Sequence, residues 1–185
     1  MRPQKVEERE LLDKLFAVIR AKGYEGARLS ELAELTGLKK ASLYHRFPGG
    51  KKDIIKAVLE DVDAWSQKHV IGVFESPTLD ADQKLETVLA NIDMLYHQGE
   101  KTCIYRSLSL ENGLDHFELE IRGGIKSWIE AFKYYGESIG LNRHTAERKA
   151  TEAIALMQGS LMVSKIMNDK SVWKDALESM EDLYN

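Results

Sequence analysis

The stretch Leu29-Ser30-Glu31-Leu32-Ala33-Glu34-Leu35-Thr36-Gly37-Leu38-Lys39-Lys40-Ala41-Ser42-Leu43-Tyr44-His45-Arg46-Phe47 decides the fold. Its spacing predicts a short helix, a tight turn at Gly37 and a second short helix. The first helix is expected to bury Leu32, Ala33 and Leu35. The second is expected to bury Leu43 and Phe47, leaving a polar face of Lys39, Lys40, Ser42, Tyr44, His45 and Arg46. Two short helices joined at a glycine turn form a helix-turn-helix, whose second helix can enter a DNA major groove. Cations, hydroxyls and polar rings on that face suit phosphates and base edges. The same pattern also fits an ordinary helical corner in a bundle.

Working outward, Gly23 is expected to end a first helix over 7–22, with Leu12, Leu15, Phe16 and Ile19 on its apolar side. Pro48-Gly49-Gly50 breaks the chain after the second short helix. A long helix is expected from Lys51 to about Phe74, carrying Ile54, Ile55, Val58, Leu59, Val62 and Trp65 on one side. Further helical stripes cover Asp82–His97, the short run around Cys103–Leu110, Phe117–Phe132, 145–167 and 171–184. Thr145 and Ser171 are the expected N-caps of the last two helices. Gly123-Gly124 interrupts a helical stripe, which close packing against a neighbouring helix would explain. The expected fold is all-α, with no strand-like alternation.

The net charge of −4 conceals a division: residues 1–52 carry 12 Lys+Arg and 7 Asp+Glu, a net +5, while residues 53–185 are net −9. A basic head on an acidic body concentrates positive potential at the helix-turn-helix. We therefore expect a DNA-binding domain over 1–52 and a helical body over 53–185. No apolar run approaches the ~18 residues of a membrane span. Met1–Leu12 lacks the apolar core of a signal peptide. The single cysteine, Cys103, excludes an internal disulfide framework, and a cytoplasmic location follows as an expectation. Cys103 itself is expected to be a small buried residue.

No phosphate-binding loop, dinucleotide fingerprint or metal-ligand spacing appears among the five histidines. No enzyme activity, cofactor or metal is therefore expected.

Ala33, Gly37, Leu38, Lys40, Leu43-Tyr44-His45, Phe47-Pro48 and Lys51 together resemble the N-terminal motif of TetR-family (TetR/AcrR) transcriptional regulators. The run from Leu43 to Lys51 is most similar to the branch containing QacR and LmrA. The resemblance covers roughly residues 10–60 and departs at Lys39, where many members place a Ser or Thr. It implies three N-terminal helices in the DNA head and about six more forming a ligand-binding and dimerisation body, about nine in all. It implies a ligand-responsive regulator, a repressor by family analogy, that binds a palindromic DNA operator as a homodimer.

Residue by residue, Lys39, Lys40, Ser42, Tyr44, His45 and Lys51 are the candidate DNA contacts. Lys51 is expected on a phosphate at the start of the fourth helix. Trp65, Tyr96, Tyr105, Trp128, Phe132 and Met157 are candidates to line a cavity for an unknown, largely apolar effector, neutral or cationic. Residues 153–167 are apolar almost all round and so need cover on two sides. Ile154 and Leu161, with Trp173, Leu177, Met180 and Tyr184 of the last helix, are the candidate dimer contacts in a four-helix bundle. Gly159 and Ser160 would allow close helix approach. Two other readings stay open: an all-helical interaction module without DNA binding, and an enzyme using the body cavity.

Overall fold

The computed structural model describes residues 7–185. The first half of the charged Met1–Leu12 stretch lies outside the described residues. The described residues form helices and connecting turns, with no strand. In chain order these are α1 (Glu8–Gly26), α2 (Leu29–Thr36), α3 (Lys40–Arg46) and α4 (Lys51–Ser66). α4 runs on through a π-helical turn (Gln67–Ile71) into a last α-turn (Gly72–Phe74). Then follow α5 (Ala81–Leu95), α6 (Ile104–Leu108), α7 (Gly113–Ser138), α8 (Arg143–Met167) and α9 (Ser171–Asp182).

Two compact units emerge. One comprises the described part of Met1–Asp63 with Ile104–Ile121; the other comprises Ala64–Cys103 with Arg122–Asn185. The first unit adds α6 and the start of α7 to the basic head. Its core contains Leu11, Leu15, Ile19, Leu32, Leu43, Ile54, Ile55 and Leu108, each at most 1% exposed. α1 packs on α6, where the Ser107 hydroxyl donates to the Arg20 carbonyl at 2.7 Å. Gly23 lies in this contact with φ +66°, and a Cβ there would meet the Ser107 carbonyl oxygen at 2.6 Å. Only glycine satisfies both demands. The helical turn resumes after it as far as Gly26, so Gly23 breaks α1 where it was expected to end it.

In the second unit the core is aromatic. Phe74 meets Phe132 edge-on at 5.2 Å and stacks on Tyr135 at 4.8 Å. α5 opens with a capping box, Asp80 accepting from the Gln83 amide while the Gln83 side chain accepts from the Asp80 amide. The cap of α8 is Asn142, which accepts from the Thr145 amide at 3.0 Å. Thr145 is thus the third helical residue and not the cap: an Asx side chain three residues upstream already serves its amide. Ser171 likewise begins α9 inside the helix, its amide donating to Asp169 at 2.9 Å.

Two packing expectations change. Leu35 is half exposed, because α2 is short and its buried side is taken by Leu32, Ala33 and Thr36. Gly123 is exposed with open space where a Cβ would stand, so close packing does not explain it; its neighbour Gly124 is buried. Cys103 is buried and free.

Candidate nucleic-acid interface

The turn between α2 and α3 is built by the backbone. Gly37 takes the left-handed conformation (φ 70°, ψ 12°). Its amide donates to the Glu34 carbonyl and the Leu38 amide to the Ala33 carbonyl, which closes α2 as a Schellman motif. The Thr36 hydroxyl donates back into the last turn, 2.6 Å from the Leu32 carbonyl oxygen and 3.1 Å from that of Ala33. α3 then starts at Lys39 without a side-chain cap, as a lysine in that position requires. Of its first-turn amides, that of Ser42 donates to the Lys39 carbonyl at 2.8 Å.

Leu43 anchors α3 in the core at 1% exposure. Around it, Lys39, Lys40, Tyr44 and His45 are exposed and Ser42 is half-buried. These candidates therefore share one solvent-facing surface. Tyr44 is held in place from below: a Cβ on Gly50 would come within 3.3 Å of its ring. Gly50 itself has φ +65°. The next turn is braced by Asp53, whose carboxylate accepts from the Gly49 amide at 2.6 Å. That carboxylate puts negative charge at the start of α4, where a phosphate was expected.

Lys51 behaves differently from the other candidates. Its ammonium donates to the Tyr24 carbonyl oxygen at 2.8 Å and lies 4.0 Å from the Tyr24 ring centre. It is half-buried and engaged within the head. The Tyr24 phenol is held above its ordinary pKa, by burial first and by the Glu25 carboxylate second.

The six body candidates do not form one wall. Trp65 and Trp128 stack at 6.5 Å, and the Trp128 indole donates to the Ser66 hydroxyl at 3.0 Å. Phe132 is fully buried against Phe74 and Tyr184, and Tyr96 meets Trp173 edge-on at 5.7 Å. Met157 is buried at 1% exposure. Tyr105 belongs to the first unit, where its hydroxyl donates to Asp63 at 2.8 Å. None of the six lines the cleft of about 310 Å³ in the second unit.

The dimer candidates also turn inward. Ile154, Leu161, Trp173, Met180 and Tyr184 are buried within this chain, and Leu177 is half-buried. The Trp173 indole donates to Asp93 at 2.7 Å. The face of α8 left open carries Met162, Val163, Ile166 and Met167, with Ile166 73% exposed. Gly159 on the same helix has open space at its Cβ position. The periodicity of one helix shows that α8 has two apolar faces but cannot tell which of them its own core takes.

Among the described residues, no group of three or more His, Cys, Asp or Glu is placed to hold a metal ion. Among the same residues, no helix is long and apolar enough to cross a membrane.

A helix-turn-helix whose second helix carries an exposed basic face has the geometry of DNA-binding proteins. Residues 11–58 match the family described as "Bacterial regulatory proteins, tetR family". The chain is 20% identical over 164 residues to the HTH-type transcriptional regulator LmrA of Bacillus subtilis (strain 168), covering 84% of each. Its fold matches a TetR transcriptional regulator from Legionella pneumophila with TM-score 0.82 and 20% identity, over 98% of this chain and 100% of that one. It also matches a cysteine mutant of the TetR-family regulator CifR complexed with 26-base-pair operator DNA, with TM-score 0.78 and 17% identity over the whole of both chains. Residues 11–58 are thus similar to the TetR family of bacterial regulatory proteins, and the fold of the chain is that of TetR-family structures.

Proposed function

We propose that this protein is a cytoplasmic, ligand-responsive repressor that binds a palindromic DNA operator as a homodimer. The observation that carries the reading is the solvent face of α3, where Lys39, Lys40, Tyr44 and His45 are exposed around a single buried anchor, Leu43. Long cations on such a helix neutralise phosphates, while the hydroxyl and ring groups reach base edges. The operator complex of the structurally similar CifR supports it.

The dimer forms through α8 and α9 of each chain, with the open apolar face of α8 as its centre. A stripe of Met162, Val163, Ile166 and Met167 left in water is costly, and a second copy covers it across a two-fold axis. Two heads on one axis then read two inverted half-sites. A small, largely apolar effector held by the body shifts the spacing of the heads through α4 and releases the DNA.

Selection of duplexes from a random pool by the purified protein tests this reading. Recovered sequences should carry two inverted half-sites centred about one helical turn, or a whole multiple of it, apart. Recovery of unrelated sequences at a salt-independent affinity would favour a protein-interaction role.

A further inference from the structure

We propose that the π-helical turn of α4 is a two-register switch, with Asn91 as its latch. As a regulatory device it rests on the reading of the protein as a DNA-binding regulator; the register itself does not. The turn spans Gln67–Ile71 and closes where the Gly72 amide donates to the Gln67 carbonyl, five residues back instead of four.

Two features hold this turn. Widening one turn leaves the helix one amide short for its carbonyls. The Asn91 side chain of α5 supplies a donor from outside, 2.9 Å from the His69 carbonyl oxygen. Gly72 is the second feature. A Cβ there would stand 2.9 Å from the Gln67 carbonyl oxygen, too close for a side chain, so the turn needs glycine at its exit. The wide turn decides which residue enters the aromatic core. Residues four apart on an α-helix drift by about 40° per step, and the π-turn takes up that drift. Ser66, Val70 and Phe74 therefore stay buried at strict four-residue spacing. Phe74 stacks on Tyr135 at 4.8 Å and meets Phe132 edge-on at 5.2 Å.

A second register is written into the same sequence. Were α4 α-helical throughout, Phe74 would stand about 80° off the line of Ser66, and Val73, seven residues on, within about 20° of it. Val73, half-buried in the π register, would take the place of Phe74 against Phe132 and Tyr135. Both registers bury an apolar side chain there. The π register gains the larger ring and the Asn91 hydrogen bond; the α register gains an unbroken ladder of regular helix bonds. A switch needs two such states, each with its own compensation. α4 begins at the turn that follows α3, so its register bears on the DNA-reading helix through the chain itself.

Nuclear Overhauser contacts in the full chain, with labelled valine methyl groups and aromatic rings, report the register. The parent should show the Phe74 ring against Tyr135. Gly72→Ala crowds the π-turn and favours regular helix. In it the contact between Phe74 and Tyr135 should disappear, and contacts from the Val73 methyl groups to Phe132 and Tyr135 should take its place. Asn91→Leu keeps the size of the side chain and removes the donor, and should exchange the same contacts at unchanged helical circular dichroism. The two variants act on the turn from different elements, so misfolding of one leaves the other decisive. Affinity for a duplex selected by the parent should change at least about fivefold in each variant. Retention of the Phe74–Tyr135 contact in both variants overturns the proposal. So does its loss with falling helical content, which marks a frayed helix and not a second register. An exchange of contacts with DNA affinity unchanged overturns the switch as a regulatory device. A parent that binds no duplex DNA contradicts the regulator reading, while the Overhauser contacts still decide the register.

Discussion

The Lys51 ammonium lies 4.0 Å from the centre of the Tyr24 ring and donates a 2.8 Å hydrogen bond to the Tyr24 carbonyl oxygen. It ties the start of α4 to the end of α1, and the same Tyr24 ring meets His116 and Phe117 edge-on. Lys51 thus acts as a clasp within the head. Lys51→Met should lower unfolding stability by about 1–2 kcal/mol, the worth of one charged hydrogen bond and one ring contact. Urea denaturation measures this. The salt slope of DNA binding should stay unchanged, because the ammonium is spent inside the protein.

Gly23 allows no side chain. Gly23→Ala forces a positive φ on alanine and drives a methyl group into the Ser107 carbonyl. A loss of about 2–3 kcal/mol is expected in the denaturant midpoint. Gly123→Ala, with open space at the same atom, should instead stabilise by a few tenths to about 1 kcal/mol.

The two faces of α8 and α9 separate by mutation. If the proposed homodimer forms through the open face of α8, Ile166→Glu should leave a monomer in sedimentation with the fold intact, since Ile166 is exposed in the single chain. Trp173→Ala should cost about 3–5 kcal/mol of folding stability, because its ring fills the core. A monomer from the first variant with an unchanged unfolding midpoint would mark Ile166 as interface and not core.

Burial holds the Tyr184 phenol well above its ordinary pKa, with Tyr135 adding to the effect. The folded state keeps a proton that the unfolded chain releases, so unfolding is favoured as pH rises beyond the unfolded value of about 10. This contribution is complete below that pH and is lost progressively above it. Denaturant midpoints from pH 8 to 11 should fall less steeply for Tyr184→Phe than for the parent. Its hydroxyl has no hydrogen-bond partner, so the substitution should cost little at neutral pH.

The helix-turn-helix was legible because local chemistry builds it. Gly37 supplies the left-handed turn, and Leu32 and Leu43 supply the anchors, all within a dozen residues. The all-helical class followed from long apolar stripes that few prolines interrupt. The body candidates were less legible because they depend on partners distant in sequence. Trp173 meets Tyr96 and donates to Asp93, a separation no spacing rule reveals. Lys51 was read as a free cation because sequence does not show the Tyr24 carbonyl that holds it.

The salt dependence of duplex DNA binding tests the central claim, that α3 is the DNA-reading surface, most directly. Plotting log K against log salt for the parent and for Lys40→Ala isolates one phosphate contact. The account predicts weaker binding and a slope shallower by about one unit for Lys40→Ala. The same slope and affinity in both proteins would remove α3 from the interface and contradict the account.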